Sequence, residues 1–191
     1  MEPILTDALA LMQRRRSVAP VQLEGPGPSP SELETLLKLA SRVPDHGKLA
    51  PWRFLVFQGE GAARAGAIAL ELKLEVQPDL DAAGRQAEAE RFTRSPLVIG
   101  VVSRAAPHVK IPEWEQVLSA GASAMALEIA ASALGFASTW LTEWIAYDAR
   151  FAARVGLAPH ERFAGFIHIG RPKSPPQDRP RPALQEIVTH F

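Results

Sequence analysis

The run from Glu113 to Leu134 constrains this chain more than any other stretch. It reads as one long helix that is apolar nearly all round, with Leu118, Ala120, Ala122, Ala124, Met125, Leu127, Ile129 and Ala130 spread over its faces. A helix of that kind has to be buried on most sides. Gly135 ends it, because glycine takes the left-handed backbone that closes a helix. Ser119, Gly121 and Ala122 are small enough to let another helix approach closely. The helix is therefore either a central core helix or one shared with a partner subunit. No run reaches the length of a membrane span, and the most apolar window, Val117 to Leu134, is broken by Glu128.

Around this helix the sequence offers a few strands to pack against. Arg53 to Phe57 reads as a buried strand closed by Gly59, Leu97 to Val102 as a fully apolar one, and Phe163 to Ile169 as a third. Phe136 to Leu141 suits a short strand, and Leu184 to Phe191 a last one. Ser29-Pro30-Ser31-Glu32 is a strong helix start, with Ser29 as cap, Pro30 in the first turn and Glu32 completing a capping box. Leu33, Leu36, Leu37 and Ala40 give that helix its buried stripe, and Pro44 stops it near Arg42. Helices are also expected over Pro3 to Arg14, Ala62 to Val76, Asp79 to Thr93 and Asp148 to Val155. The polar Asp79–Thr93 helix is expected on the surface or mobile. Val18 to Pro28, and the proline-rich Arg171 to Pro182, should run extended. The order implies an α+β fold with a mixed or mostly antiparallel central sheet; a parallel α/β sheet is the alternative.

Composition narrows the function classes. With 191 residues, the chain is long enough for one domain with a real core, spanning 1–191. Its 21 basic and 21 acidic side chains cancel, which argues against a nucleic-acid or membrane partner held by a chain-wide field. Cationic clusters must therefore be read as local sites. There is no cysteine, so disulfides, thiolate metal sites and cysteine nucleophiles are excluded. That fits a cytoplasmic protein, and no signal peptide is visible. The five histidines are scattered, so no metal is expected. The sequence contains no phosphate-binding Walker motif, no HExxH and no GxSxG, and neither Gly-x-Gly carries the third glycine of a dinucleotide fingerprint.

Two basic clusters remain. Arg14, Arg15, Arg16 and Ser17 close the first helix, and Arg42, His46, Lys48 and Arg53 surround a loop rich in Pro and Gly. Cations at a helix end complement its dipole, which is one sufficient reason for the first cluster. The other is anion binding, with guanidinium forks on phosphate and the Ser17 hydroxyl as a further donor. His46 suits either a solvated turn or a ligand contact, and Trp52 either core or a stacking wall.

The ordered set Arg15-Arg16-Ser17, Arg42-Val43-Pro44-Asp45-His46 and Pro51-Trp52-Arg53-Phe54 resembles the FMN-dependent nitroreductase family, and most of all its compact YdjA-like bacterial branch. Pro112-Glu113-Trp114 at the start of the long helix, Ala133-Leu134-Gly135-Phe136 at its end, and Gly165 to Pro172 continue the likeness across nearly the whole chain. The resemblance implies an α+β sandwich forming an intertwined homodimer, with FMN at the interface and touched by both chains. It implies that Arg15, Arg16 and Ser17 hold FMN from one chain while Arg42 and His46 reach it from the other. Thr139, Trp140 and Leu141 match the segment along the isoalloxazine edge, where a backbone N–H would bond N5. Arg171 matches a late basic residue that meets the phosphate, a role open also to Arg179 and Arg181. Leu141-Thr142-Glu143-Trp144 stands where many members carry a Glu-Gly pair. Asp45, Lys48 and Trp52 read as supports of the loop.

The function implied by this resemblance is that of an NAD(P)H-dependent oxidoreductase reducing small nitroaromatic or quinone-type acceptors in a ping-pong cycle. The flavin carries the chemistry, so no catalytic side chain is assigned. The rival readings are a flavin-binding or flavin-storage module without turnover, and a nucleic-acid or phosphoprotein binder, which zero net charge disfavours.

Overall fold

The segments rich in β-branched and aromatic residues meet as one five-stranded sheet in a computed structural model that describes residues 8–191. Leu97–Ser103 (β3) is buried at every position, as its uninterrupted apolar run requires. It pairs on one side with Trp52–Phe57 (β2) and on the other with the long Arg162–Pro172 strand (β5). Ala137–Leu141 (β4) takes the opposite edge of β5, and Leu23–Glu24 (β1) joins its last two residues. All these pairings are antiparallel, so the α+β reading holds and the parallel alternative falls.

Side chains on β3 alternate between two helical layers. Leu97, Ile99 and Val101 face Pro30–Ala40 (α2) and Glu113–Ala133 (α5), packing with Leu36, Ala40, Ala124 and Leu127. Val98 and Val102 face the other way, toward Glu60–Val76 (α3) and Ala149–Arg154 (α6). That second layer is aromatic: Phe57, Phe92, Phe151, Phe163 and Phe166 cluster, with Phe92 and Phe151 stacked at 5.6 Å. Phe163 and Phe166 are three residues apart yet share one face. A shift of register between Val101 and Val102 inserts one extra residue of β5 there and resets the alternation. The Ser29 capping box forms as expected, with Ser29 Oγ accepting from the Glu32 amide and Glu32 accepting from the Ser29 amide.

Helix α5 is half core helix. Ser123, Ala124, Leu127, Ala130 and Ala131 are buried, whereas Trp114, Val117 and Leu118 on its first turns are exposed, Trp114 by 68%. One expectation is borne out in part and one is corrected. The polar helix, Ala82–Ala89 (α4), lies on the surface as expected except at its end. Glu88 and Arg91 are buried as a two-bond ion pair and Phe92 anchors the aromatic layer. Burial is possible because the opposite charges satisfy each other, which composition alone does not reveal. The C-terminal segment forms a short helical turn, Leu184–Ile187 (α7), and no strand; among the described residues it pairs with no sheet edge that could supply ladder bonds. The first helix is described over Ala8–Arg14 (α1), and the earlier part of the expected Pro3–Arg14 helix lies outside the described residues.

Two buried titratable groups make the fold acid-sensitive. His168 on β5 is 1% exposed, bonds Ser95 Oγ at 2.8 Å, and is driven down to about 3 by burial and the nearby Arg94 charge. Glu161 receives two bonds from Arg53 at 2.7 and 2.6 Å and one from the Ala158 amide, which hold its carboxyl down at about 2. In each case the unfolded chain takes up a proton that the folded chain refuses. Stability is full above the unfolded value, 6.5 for the histidine and 4.5 for the glutamate, and is lost as pH falls toward the folded value. Each group alone supplies a slope of at most about 1.4 kcal/mol per pH unit. Urea melts from pH 7 to 3 should separate them. His168→Gln flattens the decline between 6.5 and 4.5, whereas Glu161→Gln flattens only what lies below and lowers neutral stability by about 2 kcal/mol.

Candidate functional site: a cationic cavity at the end of the first helix

The turn that leaves α1 is tied to β4. Ser17 and Ser138 form an isolated parallel bridge, and the Val18 amide donates to the Ser138 carbonyl at 3.0 Å. This tie sets Arg14, Arg15 and Arg16 along one wall of a cavity of about 450 Å³. Ser132, Gly135, Phe136 and Ala137, from the end of α5 and the start of β4, line the other wall, and Pro172, Pro176 and Asp178 of the tail complete it.

Arg16 caps the helix with one arm and pairs with an acid of the tail with the other. Its Nη1 donates to the carbonyls of Gln13 at 3.0 Å and Arg15 at 2.6 Å, which caps the open end of α1. Its Nη2 pairs with the Asp178 carboxylate on the tail. Its Nε is buried and meets no partner among the described residues. Arg15 Nη1 is likewise buried without a hydrogen bond; the nearest acid is Glu128 on α5, with Oε1 at 3.8 Å. Glu128 is 4% exposed and accepts from Ser138 Oγ at 3.4 Å. Burial pushes its carboxyl up, against the pull of Arg15 and Ser138.

The other expected residues lie in four places. Thr139, Trp140 and Leu141 follow Ser138 on β4, opposite His168, Ile167 and Phe166. Trp140 lies over Gly165 and donates from Nε1 to the Ala164 carbonyl at 3.0 Å; with φ near 154° and an indole pressed on it, Gly165 has no room for a side chain. Arg171 supports the cavity from behind. Its Nη1 donates to the Gly135 carbonyl at 2.6 Å, and its guanidinium lies 4.0 Å over the Phe136 ring. Arg179 and Arg181 are on the exposed tail.

Arg42 and His46 are not brought to this cavity within one chain. Both are exposed, and His46 Nδ1 pairs with Glu115 Oε2 at 2.8 Å. Their loop is nevertheless well held. Asp45 accepts from the amides of Leu49 and Ala50, each at 2.9 Å, and Ser119 Oγ donates to the Pro44 carbonyl at 2.6 Å. Asp45 and Trp52, whose Nε1 donates to Ser119, are thus the supports expected of them. Arg53 belongs to another system, the ion pair with Glu161.

Three acids at or near the site carry no role in the sequence pattern. Glu128 is visible there as the one charge inside an apolar helix, which is a signal in itself, because a buried carboxylate wants a cationic partner. Asp178 has no signal in a polar tail. Glu143 directly follows Leu141-Thr142 with φ of 54°, which is strained for a non-glycine residue. Arg94 and Arg91 each reach its Oε2 at 2.7 Å. Burial alone would push Glu143 up, but those partners outweigh it and hold its carboxyl below the usual range.

A five-stranded antiparallel sheet between two helical layers makes this an α+β sandwich, with a cationic cleft where α1 meets β4. The chain belongs to the nitroreductase family, whose model matches residues 12–171. It is 34% identical over 167 residues to the Escherichia coli K12 protein YdjA, named as an NAD(P)H nitroreductase, covering 87% of this chain and 89% of that one. A nitroreductase-like protein from Bacillus cereus superposes with a TM-score of 0.84 at 22% identity, over 100% of this chain and 99% of that one. A nitroreductase from Desulfovibrio desulfuricans, solved in complex with FMN, superposes at 0.74 with 20% identity, over 98% of both chains. Among the described residues no helix is long and apolar enough to cross a membrane.

The geometry of Arg171 makes its structural role measurable. Arg171→Met keeps much of the side-chain volume but loses the bond to Gly135 and the cation over Phe136. Equilibrium urea unfolding should show a loss of about 2 kcal/mol.

Proposed function

We propose that the protein is an FMN-dependent NAD(P)H oxidoreductase that reduces nitroaromatic or quinone-type acceptors by two electrons in a ping-pong cycle. One observation carries the reading: Arg15 and Arg16 hold buried guanidinium nitrogens without hydrogen-bond partners among the described residues, at the wall of a 450 Å³ cavity, in a chain of the nitroreductase family. Unpaired cationic donors in a cleft suit a phosphate monoester, which offers several anionic acceptors. The residues present therefore fit FMN.

In this reading Arg15, Arg16 and Ser17 bind the phosphate or the ring from one chain. Arg179 and Arg181, or Arg171 once freed from Gly135, add charge from the tail. Thr139, Trp140 and Leu141 line the ring edge, and a backbone N–H of the turn after β4 orients it. Bound FMN supplies the hydride chemistry. The chain binds, orients and excludes water, so it requires no acid–base pair of its own. A flat acceptor stacking in the cleft would explain a broad choice of substrates.

Arg42 and His46 complete the site from a second chain. Their exposure on a well-held loop supports this, and so does the apolar face of α5, where Trp114, Val117 and Leu118 are exposed by 68%, 41% and 53%. That face calls for cover, and a second copy of the same helix supplies it.

Purified protein should show a flavin spectrum that bleaches with NADPH and recovers on adding a quinone. A colourless protein that takes up no added FMN would sink the proposal. A yellow protein that oxidises no NAD(P)H with any acceptor would instead mark a flavin-storage module.

The dimer has its own test. Leu118→Glu alters an exposed position and should cost the isolated chain under about 0.5 kcal/mol. Sedimentation should nevertheless show dimer converted to monomer, with FMN lost in parallel; a variant that remains a yellow dimer contradicts the shared site.

A further inference from the structure

Arg15 stands between two acidic claims. On one side it lines the cavity; on the other lies Glu128, which is 4% exposed and is not part of the cavity wall. The separation of 3.8 Å between Arg15 Nη1 and Glu128 Oε1 is too long for a hydrogen bond. Arg15 is thus paired with Glu128 by charge and not committed to it by a bond. We propose that Glu128 is the residue that sets the affinity of the cavity for a phosphate monoester: a buried counter-charge behind Arg15 that weakens the grip on the anion in front of it. The identity of that anion as FMN rests on the function proposed above.

The sign is set by the range of the two forces at work. Removing the carboxylate charge frees the field of Arg15 for the ligand and removes a repulsion that acts through low-dielectric protein. Glutamine at 128 keeps the shape and the acceptor for Ser138, so the placement of Arg15 is little changed. Charge wins over positioning, and binding tightens. Glu128 acts through Arg15 and touches no ligand, so it is a positioning and affinity-setting residue, not a catalytic one. Asp178 also opposes an anion, but it is exposed and pairs with Arg16, where solvent screens its effect.

The test compares wild type, Glu128→Gln, Arg15→Gln and the double variant, binding FMN, riboflavin and inorganic phosphate by titration calorimetry. Glu128→Gln should bind FMN roughly tenfold tighter, the scale of a single buried charge coupling. Riboflavin, which lacks the phosphate, should change by less than about twofold on the same scale. In the Arg15→Gln background the gain should vanish. A purely structural role for Glu128 would shift both flavins alike, or weaken both, and would overturn the proposal. If wild type takes up no FMN, the flavin reading fails and inorganic phosphate decides. A gain for phosphate in Glu128→Gln that requires Arg15 sustains the inference. Equal or undetectable phosphate binding in all four proteins overturns it.

Discussion

Strand β5 has to satisfy hydrogen bonds on both of its edges, and much of the molecule is arranged to let it. It is buried from Gly165 to Gly170, where an unpaired amide or carbonyl would be costly. β3 serves one edge and β4 the other, with β1 at the end. The need to pair that second edge brings β4 into place, and β4 in turn carries Ser138, the point at which the chain leaving α1 is fastened. The cationic cavity is therefore a consequence of sheet completion. Arg15 and Arg16 follow α1, whose described part, Ala8–Arg14, buries Leu11, and the tie to Ser138 fixes where they emerge.

The charges of this protein divide by how completely they are paired. Glu161 is saturated by Arg53, Arg104 and the Ala158 amide, and Glu143 by Arg91 and Arg94. Such networks hold loops in place: the first ties β2 to the start of β5, the second fixes the strained turn after β4. Arg15 and Glu128 differ, since their separation leaves donor capacity on the arginine unspent. Buried ionic groups with spare valence are poor devices for stability. Located at a cavity, they are what an anion site needs.

Much of this architecture is legible from pattern alone. The apolar run at Leu97, the capping box at Ser29 and the glycine after Leu134 each have a local cause, and each produces the element expected of it. The strand directions are less legible: apolar segments joined by helices leave a parallel sheet open, and only the observed pairings make the sheet antiparallel. What is missed depends on distant partners. Glu88 and Arg91 are neighbours along the chain, but nothing local says that Glu143 and Trp144 will come over to bury them, or that the residues after Leu184 find no edge to pair with. At the candidate site, the cluster Arg15-Arg16-Ser17 is visible by its charge. Glu128 is visible as a lone charge in an apolar stretch, but the cation it faces is not, and Asp178 gives no signal at all, because the partners of both are separated from them by most of the chain. Arg171 shows the converse: its charge draws attention, while its observed partners are a carbonyl and an aromatic ring.

The loop carrying Arg42 and His46 is built for a fixed shape. Gly47, Lys48 and Ala50 all have positive φ, and for the two non-glycine residues this costs energy, on the order of 1 to 3 kcal/mol each. Asp45 offsets that strain with two amide bonds, and the side chain of Ile111 packs where Gly47 lacks a Cβ. A chain that only had to connect α2 to β2 would have less strained conformations available. The strain makes sense if the direction of Arg42 and His46 matters, and in one chain they stand apart from the cationic cavity. In the proposed dimer, two halves of a grip that are already ordered would lose little entropy on coming together. On the proposed reading, the same preorganisation would let a chain of neutral overall charge bind an anion locally, because the cations at the cavity have set places.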